Sequence, residues 1–490
     1  MNFACQTKLQ TKLVALSLLI LATACTHQPY QAKPLDPTAV RAKLANKDAA
    51  SADFKAYLIK QGYAEGDEKD KLPFAKWGID ELTLCALYFN PKLDVAKAQL
   101  ALATVAVNTA NQQQNPTLGG RAAHSNQANR DKSPWAFGLE VEIPIETANK
   151  RQIKVEEAQH LQEVARIDVA DVAWQLRSQI AKDLLSFHEN IAQRNQLNQD
   201  LMIQNSLIKL LEKRVQLGAA SNTELNAAKL LQQKAQFSLN SEQSKSTEMR
   251  AALAADVGLS NEKFAQLQLK PLDIESALLT TPNTAQLQET ALLNRLDIRR
   301  SLAKYAASEA KIKLEIAKQT PDISLSPGFA FEFGNSIWSL GFSTLLNLLN
   351  KNATLIAEAT QLREIEDAQF EALQANVIAD ASQANAAFTA SQQNVAQVKQ
   401  QLAAQQQVTQ KLQRQLDAGQ IDRLELTQNK LMTSQLQQQL INAKFKQLNA
   451  LLALENSVQM PLKADTVLTS DNLVNDKTIQ IQRVKEWAEN

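Results

Sequence analysis

The chain contains one unit twice, about two hundred residues apart. Residues 211–218 (LEKRVQLG) align with residues 412–419 (LQRQLDAG), and both segments end on a glycine. Six residues beyond each glycine stands a glutamate that is followed by leucine, Glu224 in the first repeat and Glu425 in the second. Internal similarity over this length indicates a fold built from two equivalent halves.

Each repeat contains a segment that is too long and too poor in helix breakers for a compact domain. No proline occurs in 145–270 or in 328–460, and the 490 residues include only 12 glycines and 13 prolines. Within 161–191, apolar residues recur every three or four positions, which is typical of one buried stripe on a helix. A helix over 149–217 would be about 100 Å long at 1.5 Å per residue.

The two repeats are predicted to share one order of elements: a helix, a pair of strands, a long helix and a return helix. Repeat 1 covers 91–290, with strands at 117–124 and 135–145, the long helix at 149–217 and the return helix at 222–257. Repeat 2 covers 291–461, with strands at 322–333 and 337–345, the long helix at 352–418 and the return helix at 421–458. This order predicts a mainly α fold with a small antiparallel β part.

The segments before the long helices alternate as strands do. In 135–145 the odd positions are aromatic or aliphatic, and the even positions are small or acidic, apart from Pro144. Such alternation predicts either a lipid-facing barrel strand or a soluble hairpin packed on a core. Open strand edges are not tolerated in lipid, and membrane barrels have at least eight strands. Four strands per chain would therefore have to be pooled between copies, and three copies would supply twelve.

The N-terminus has the features of bacterial export. Residues 1–24 contain two lysines, a short apolar core and small residues directly before Cys25, which is the pattern of a signal peptide. A cysteine at this place resembles the acylated cysteine of bacterial lipoproteins, and an ordinary cleaved signal with an incidental cysteine is the alternative. Residues 25–90 are then an N-terminal periplasmic segment, and 462–490 form a C-terminal tail.

Several functional classes are disfavoured by composition and motifs. A formal charge of +1 provides no basic field for nucleic acid. Neither a glycine-rich phosphate loop nor a nucleophile elbow is present, so the chain is not expected to be an enzyme. Four scattered histidines give no metal-ligand spacing, and no cofactor is predicted. With Cys25 acylated, Cys85 lacks a disulfide partner, and no segment after the signal reaches the length of a membrane helix.

Taken together, these features resemble the TolC family of outer-membrane efflux proteins over about residues 80–461. The resemblance rests on the duplication, on the segment 294–298 (NRLDI), on Pro321-Asp322 before the strand and on the glycine turns. The family usually has proline where this chain has Leu296. The resemblance implies a homotrimer whose twelve-stranded transmembrane β-barrel is continuous with a long α-helical barrel. It also implies a passive conduit in a tripartite efflux system, with a periplasmic adaptor and an RND-type inner-membrane pump as partners.

By the same resemblance, the turns after the long helices form the periplasmic tip of the tube. Glu224 and Glu425 would ring the closed pore there. The expected adaptor contacts are Leu217, Gly218, Ala219, Ala418, Gly419 and Gln420. The residues also permit another interpretation, because Ser221-x-x-Glu224 and Asp422-x-x-Glu425 are capping boxes, in which the glutamate bonds the backbone of the cap residue.

Cargo is the least constrained property. Residues 145–151 (IETANKR) resemble family members of the heavy-metal cation efflux branch, so metal cations compete with drugs or other small molecules as cargo. A periplasmic adaptor or a structural coiled-coil lipoprotein would also combine a signal, a lipid and long helices. An adaptor would have one hairpin between β-rich halves. Here two hairpins each follow a strand pair, which favours the channel.

Overall fold

Helices make up most of the structure, a computed structural model that describes residues 30–60, 74–126, 133–272, 283–332, 334–345 and 350–462. The predicted signal peptide, Cys25 and nearly all of the predicted C-terminal tail lie outside these residues. Met1–Asn46 and Lys47–Asn490 form two separate units. In the first unit, the helix α1 (Pro37–Ala45) is capped by Asp36, which accepts a hydrogen bond from the Thr38 N–H at 2.9 Å.

The second unit contains all the remaining elements. Its first repeat is preceded by α2 (Ala52–Lys60) and α3 (Ile79–Phe89) and contains α4 (Pro91–Ala110), β1 (Thr117–His124), β2 (Trp135–Ile145), α5 (Lys150–Gln216), α6 (Asn222–Val257) and α7 (Asn261–Ala265). The second repeat contains α8 (Thr284–Asn294), α9 (Leu296–Ala317), β3 (Ile323–Glu332), β4 (Asn335–Thr344), α10 (Ala353–Asp417) and α11 (Arg423–Val458). The 67 residues of α5 and the 65 of α10 correspond to about 100 Å and about 97 Å.

The apolar stripe of α5 is buried where α3, α4 and the end of α6 surround it. Leu176, Ile180 and Phe187 belong to the largest core cluster and are at most 4% exposed. Leu161, which the periodicity placed on the same buried stripe, is instead 48% exposed and lies outside this cluster. Helical periodicity identifies a face, whereas burial requires neighbouring elements to cover it.

The helices α6, α5, α11 and α10 pack side by side in that order. The two hairpins therefore meet along α5 and α11, one helix from each repeat. Polar contacts also cross the boundary between the repeats, as where Asn456 Nδ2 on α11 donates to Ser178 Oγ on α5 at 2.6 Å. Both repeats consequently share one packed unit.

The four strands form one antiparallel sheet in the order β1-β2-β3-β4. The central pair, β2 with β3, joins the two repeats, because Phe137 lies opposite Phe331 and Ile145 opposite Ile323. Below this pair, Lys150 at the start of α5 donates through Nζ to the Thr320 carbonyl at 2.6 Å and to Asp322 Oδ1 at 2.7 Å. The sheet and this cluster fix the repeats to each other at the end opposite the glycine turns.

The starts of the long helices correct one detail of the sequence alignment. The offset of 201 residues that aligns the two glycines would place Asn149 opposite Asn350, but the left-handed residues that precede α5 and α10 are Asn149 (φ 55°) and Asn352 (φ 59°). The offset is thus 352 − 149 = 203 at the helix starts and 419 − 218 = 201 at the glycine turns. The difference equals the two extra residues of α5, so positions near the turns are matched by counting from the glycines.

Gln459 compensates for the leucine that replaces the family's usual proline at position 296. The Leu296 N–H at the start of α9 is buried and donates to Gln459 Oε1 at 2.6 Å. Proline has no N–H and suits the first position of a helix, so it would need no such partner. Gln459 itself has a left-handed backbone (φ 47°) and follows the last residue of α11. The residue that follows the last helix of repeat 2 thereby caps an earlier helix of the same repeat.

Gln459→Ala is expected to lower the free energy of unfolding by about 1–3 kcal/mol, because it leaves the buried Leu296 N–H unpaired. In a Leu296→Pro background the same substitution should have almost no effect. Chemical denaturation of the four variants of this cycle measures the coupling. Equal losses in both backgrounds would show that Gln459 acts through another contact.

Candidate functional site

One face of the sheet is apolar and exposed. Its register places Phe329 beside Leu139 on β2 and beside Trp338 on β4, so the aromatic and aliphatic side chains form one continuous surface. The most exposed members, between 48% and 82% accessible, are Leu118, Trp135, Phe137, Leu139, Trp338, Leu340 and Phe342. A contiguous apolar surface of this kind marks contact with a membrane or with another protein.

The opposite face of the same strands is small and polar. Glu140 and Glu142 on β2 lie there, together with serines and glycines of β3 and β4. Arg121 on β1 forms an ion pair with Glu332 on β3 at 2.5 Å, across β2. Within the part of the chain that the structure describes, β1 and β4 each pair with a single strand, so the sheet has two open edges.

The turns that end the two long helices have the same backbone geometry. After α5, the Gly218 N–H donates to the Val215 carbonyl at 3.0 Å, and the Ala219 N–H donates to the Arg214 carbonyl at 2.7 Å. After α10, Gly419 and Gln420 make the equivalent bonds at 2.9 and 2.8 Å. This pattern is a Schellman motif, and it requires the left-handed glycines, whose φ angles are 71° and 72°.

Glycine is selected at these turns by backbone conformation and not by space. A Cβ atom added at Gly218 or Gly419 would meet nothing within 4 Å. The left-handed conformation is nevertheless costly for residues that carry a Cβ. The neighbouring residues Leu217, Ala219, Ala418 and Gln420 are all exposed, and Leu217 is 82% exposed. The turns therefore present the predicted adaptor-contact residues to solvent.

Half of each predicted capping box is formed. Ser221 Oγ accepts the Glu224 N–H at 3.1 Å, and Asp422 Oδ1 accepts the Glu425 N–H at 3.0 Å. The return bond from the glutamate carboxylate to the backbone of the cap residue is not made in either turn. Both carboxylates are exposed, and neither has an ion pair or hydrogen bond with any residue the structure describes. The caps therefore use the backbone N–H groups of the two glutamates and leave both carboxylates available to bind cations or other charged groups.

An ion pair that the sequence analysis missed brings the two turns together. Arg214 Nη2 at the end of α5 lies 3.1 Å from Asp422 Oδ2, the cap of α11. The Glu425 N–H and the Arg214 guanidinium together hold the pKa of Asp422 below its ordinary value. At the equivalent positions of the other repeat, Gln415 stands in place of Arg214 and Ser221 in place of Asp422. The two charged residues are therefore present in only one repeat each, and this difference was the only sign of the ion pair in the sequence.

The described residues contain no group of three or more His, Cys, Asp or Glu side chains arranged to hold a metal ion. His124 instead packs edge-on against Trp135 at the loop end of the sheet, with 4.6 Å between ring centroids.

Among the described helices, none combines the length and apolarity that crossing a membrane would need. Cys85 is a buried free thiol whose pKa is raised by burial.

In the described residues a small open sheet with an exposed apolar face is joined to two paired hairpins of very long helices, an arrangement that resembles the predicted outer-membrane channel fold. The comparison with protein families agrees, because residues 85–259 match the family model described as outer membrane efflux protein. The predicted family resemblance is thereby confirmed. The name of this family model, outer membrane efflux protein, describes proteins of transport.

Solved structures of bacterial outer-membrane channels have the same fold. The outer membrane protein VceC of Vibrio cholerae has a TM-score of 0.63 at 19% identity, covering 78% of this chain and 95% of its own. CusC has 0.64 at 16%, covering 89% and 99%, and the Campylobacter jejuni channel CmeC has 0.62 at 13%, covering 94% and 98%. These likenesses confirm the mainly helical fold with a small antiparallel sheet.

Comparison with curated protein sequences gave no match. The similarity to solved channels is spread evenly, with TM-scores between 0.62 and 0.64 for the three named above. It therefore favours no single branch, and the assignment to heavy-metal cation efflux stays a prediction.

Proposed function

We propose that three copies of this chain form an outer-membrane efflux channel, with the exposed apolar face of the sheet in contact with lipid. That face carries the proposal, because a soluble hairpin would bury it against a core. Trp338, Leu340 and Phe342 on β4 are instead 75–82% exposed. The opposite face, with its serines, glycines and carboxylates, would line the pore. Lipid-facing apolar residues that alternate with polar ones facing the lumen are the pattern of membrane barrels.

The order of the strands supports closure between copies. Inside the chain, the second strand of repeat 1 pairs with the first strand of repeat 2, as β2 with β3. The equivalent pairing for β4, the second strand of repeat 2, is with β1 of another copy. Such pairing would satisfy both open edges, whose backbone groups are costly in lipid. Three copies give a closed barrel of twelve strands, the number that the family resemblance implies.

The rest of the assembly follows from the resemblance. The helical hairpins extend the barrel into the periplasm, where the tip would meet a periplasmic adaptor and an RND-type inner-membrane pump. The chain would then be a passive conduit, with transport driven by the pump. Acylation of Cys25 would add a lipid anchor in the outer membrane. Drugs, other small molecules and heavy-metal cations are the candidate cargos.

Two measurements on the full-length protein test this function. A channel should be extracted from the outer membrane only by detergent, as a trimer that heat dissociates, and should give discrete conductance steps in planar bilayers. A monomer that salt washing releases, including from a Cys25→Ala variant, would contradict the proposal. Labelled palmitate tests the anchor separately, because a channel without the label would still be a channel.

Glu224 and Glu425 are proposed to form a constriction at the tip of the pore, where their exposed and unpaired carboxylates would bind cations. A trimer would bring six such charges together. Replacing both by alanine should raise single-channel conductance and weaken block by divalent cations about fivefold, given an attraction of about 1 kcal/mol between unit charges near 4 Å in water. Conductance and block are measured in planar bilayers.

The matched control for this experiment is Glu248→Ala with Glu371→Ala, which removes the same charge from exposed positions on α6 and α10 away from the turns. It should leave conductance and block unchanged. If the variant at the turns behaves like this control, the two glutamates do not contribute to the pore.

A further inference from the structure

Two aspartates meet where the end of α6 packs against the middle of α5. Asp256 lies in the last turn of α6 and Asp183 lies on α5, and their carboxyl groups are joined by a hydrogen bond. Both side chains are half-buried. An ionised carboxylate can only accept hydrogen bonds. The bond between the two side chains therefore requires one proton on the pair.

The backbone at Asp256 is anchored by the junction between α3 and α4. Asn90, the N-cap of α4, donates through Nδ2 to the Asp256 carbonyl at 2.6 Å. Two residues further on, a Cβ atom added at Gly258 would lie 2.7 Å from the Phe89 carbonyl oxygen, so the two segments are in close contact. The end of α6 is consequently not free to move the Asp256 side chain away from α5.

One cation and one amide act directly on the pair. Lys92 faces Asp256 from α4 and is exposed to solvent, where its charge is partly screened. Gln179 on α5 donates through Nε2 to Asp183 Oδ2 at 2.9 Å, which occupies one of the two oxygens of that carboxyl group. The other oxygen is available to Asp256.

Charged groups on the other neighbouring elements are engaged elsewhere. On α7, Lys263 Nζ lies 2.7 Å from Asp48 Oδ2. On α6 itself, the Arg250 guanidinium lies over the Phe187 ring, 5.6 Å from its centroid. The acidic residues of α3 lie in its first turn, at the opposite end of that helix from Phe89: Asp80 and Glu81.

These surroundings favour retention of the proton. Partial burial, the hydrogen bond from Asp183 and the negative charge of Asp183 raise the pKa of Asp256 to about 7, although Lys92 lowers it. The carbonyl end of a helix is negative as well, so the place of Asp256 in the last turn acts in the same direction. The pair thus exchanges its proton near neutral pH, whereas an ordinary aspartate, with a pKa of 3.8, is charged there.

We propose that Asp183 and Asp256 form a pH-sensitive joint, which ties α6 to α5 while they share a proton and loosens the hairpin when the proton leaves. Without the proton, both groups are charged and repel each other. Because the backbone at Asp256 is anchored, the repulsion acts on the packing between α5 and α6. The joint lies within one chain and does not depend on the proposed assembly of three copies. In a periplasmic tube it would respond to the pH of that compartment.

The raised pKa determines the direction of the effect. A carboxyl group with a higher pKa in the folded chain than in the unfolded chain binds its proton more tightly when folded. The resulting stability is fully present below the ordinary value of 3.8 and is lost as the pH rises through about 7. Burial lowers the pKa of His188, which acts in the opposite direction. Burial also raises the pKa of three carboxyl groups that act in the same direction as the pair: Glu157, Glu189 and Glu455.

Isosteric amide variants of the full-length chain separate the pair from these other groups. In Asp183→Asn the amide can donate to Asp256 at every pH, so the joint no longer loosens. Asp200→Asn is the matched control, because Asp200 lies on the same helix and also accepts from a glutamine four residues away. Between about pH 5 and about pH 8, the thermal midpoint of Asp183→Asn should rise by about 2 °C relative to this control. Circular dichroism in detergent gives the midpoints.

Infrared spectroscopy reads the proton itself, since a protonated carboxyl group has a band that a carboxylate lacks. The difference between the spectra of the unsubstituted chain and Asp256→Asn should contain this band, and the band should vanish as the pH rises through about 7. The difference from Asp200→Asn should not contain it. Absence of the band for Asp256→Asn would overturn the joint, as would an equal pH dependence of the thermal midpoint in Asp183→Asn and Asp200→Asn.

Discussion

Leu176→Pro is expected to abolish cooperative folding and with it the assembly of copies. Leu176 is 3% exposed and lies in the core cluster that surrounds α5. Proline inside a helix removes a backbone hydrogen bond and collides with the preceding turn, at a cost of about 3 kcal/mol or more. Loss of the leucine side chain from a packed core adds about 2–5 kcal/mol. Together, the two losses are comparable to the free energy of unfolding of an ordinary domain, about 5–15 kcal/mol.

Leu176→Ala separates the two effects, since it loses the packing and keeps the helix continuous. Its thermal midpoint should fall while the trimer survives on unheated gels, whereas the proline variant should show neither a cooperative transition nor a trimer. Circular dichroism and gel mobility before and after heating provide the readouts. A proline variant that assembles like the alanine variant would mean that α5 tolerates a break at this position.

Leu340→Arg should prevent stable insertion of the sheet, while Ser339→Arg next to it should be tolerated. Leu340 lies opposite Pro327 on the apolar face and is 75% exposed, and Ser339 lies opposite Gly328 on the polar face. An arginine that faces lipid near the middle of the membrane costs about 2–4 kcal/mol in barrels, and in a trimer the cost is repeated three times. An arginine that faces the lumen remains in water.

The adjacent positions make this pair a matched test, because both variants carry the same charge on the same strand. The measured quantity is the fraction of protein that resists salt washing and runs as a heat-sensitive trimer. Equal losses for both variants would indicate that arginine harms β4 for another reason. Loss for Ser339→Arg alone would place the polar face toward lipid and contradict the proposed orientation.

Much of the local structure could be predicted from the sequence. Proline-free segments with helical periodicity predicted the long helices, and Gly218 and Gly419 marked the turns, because only glycine adopts the required backbone cheaply. Strict alternation in 135–145 predicted β2 and its two unlike faces. These patterns depend on residues within a few positions of each other, which is why they are readable without the fold.

Contacts between distant segments could not be predicted in this way. The ion pair between Arg214 and Asp422 and the hydrogen bond from Gln196 to Ser434 each join residues more than two hundred positions apart. The exposure of Leu161 also contradicts its place in a regular apolar stripe. In each case the outcome depends on which elements pack together.

By itself, the sequence determined a duplicated, mainly helical chain with two pairs of amphipathic strands, because repetition and periodicity are patterns in the order of residues and do not depend on which elements pack together. Only the tertiary structure decided that β2 pairs with β3, so that both strand pairs merge into one sheet with open edges at β1 and β4. It also decided that α5 has a neighbour on each side. These pairings depend on which surfaces cover each other, and that choice is made by packing between residues far apart in the chain.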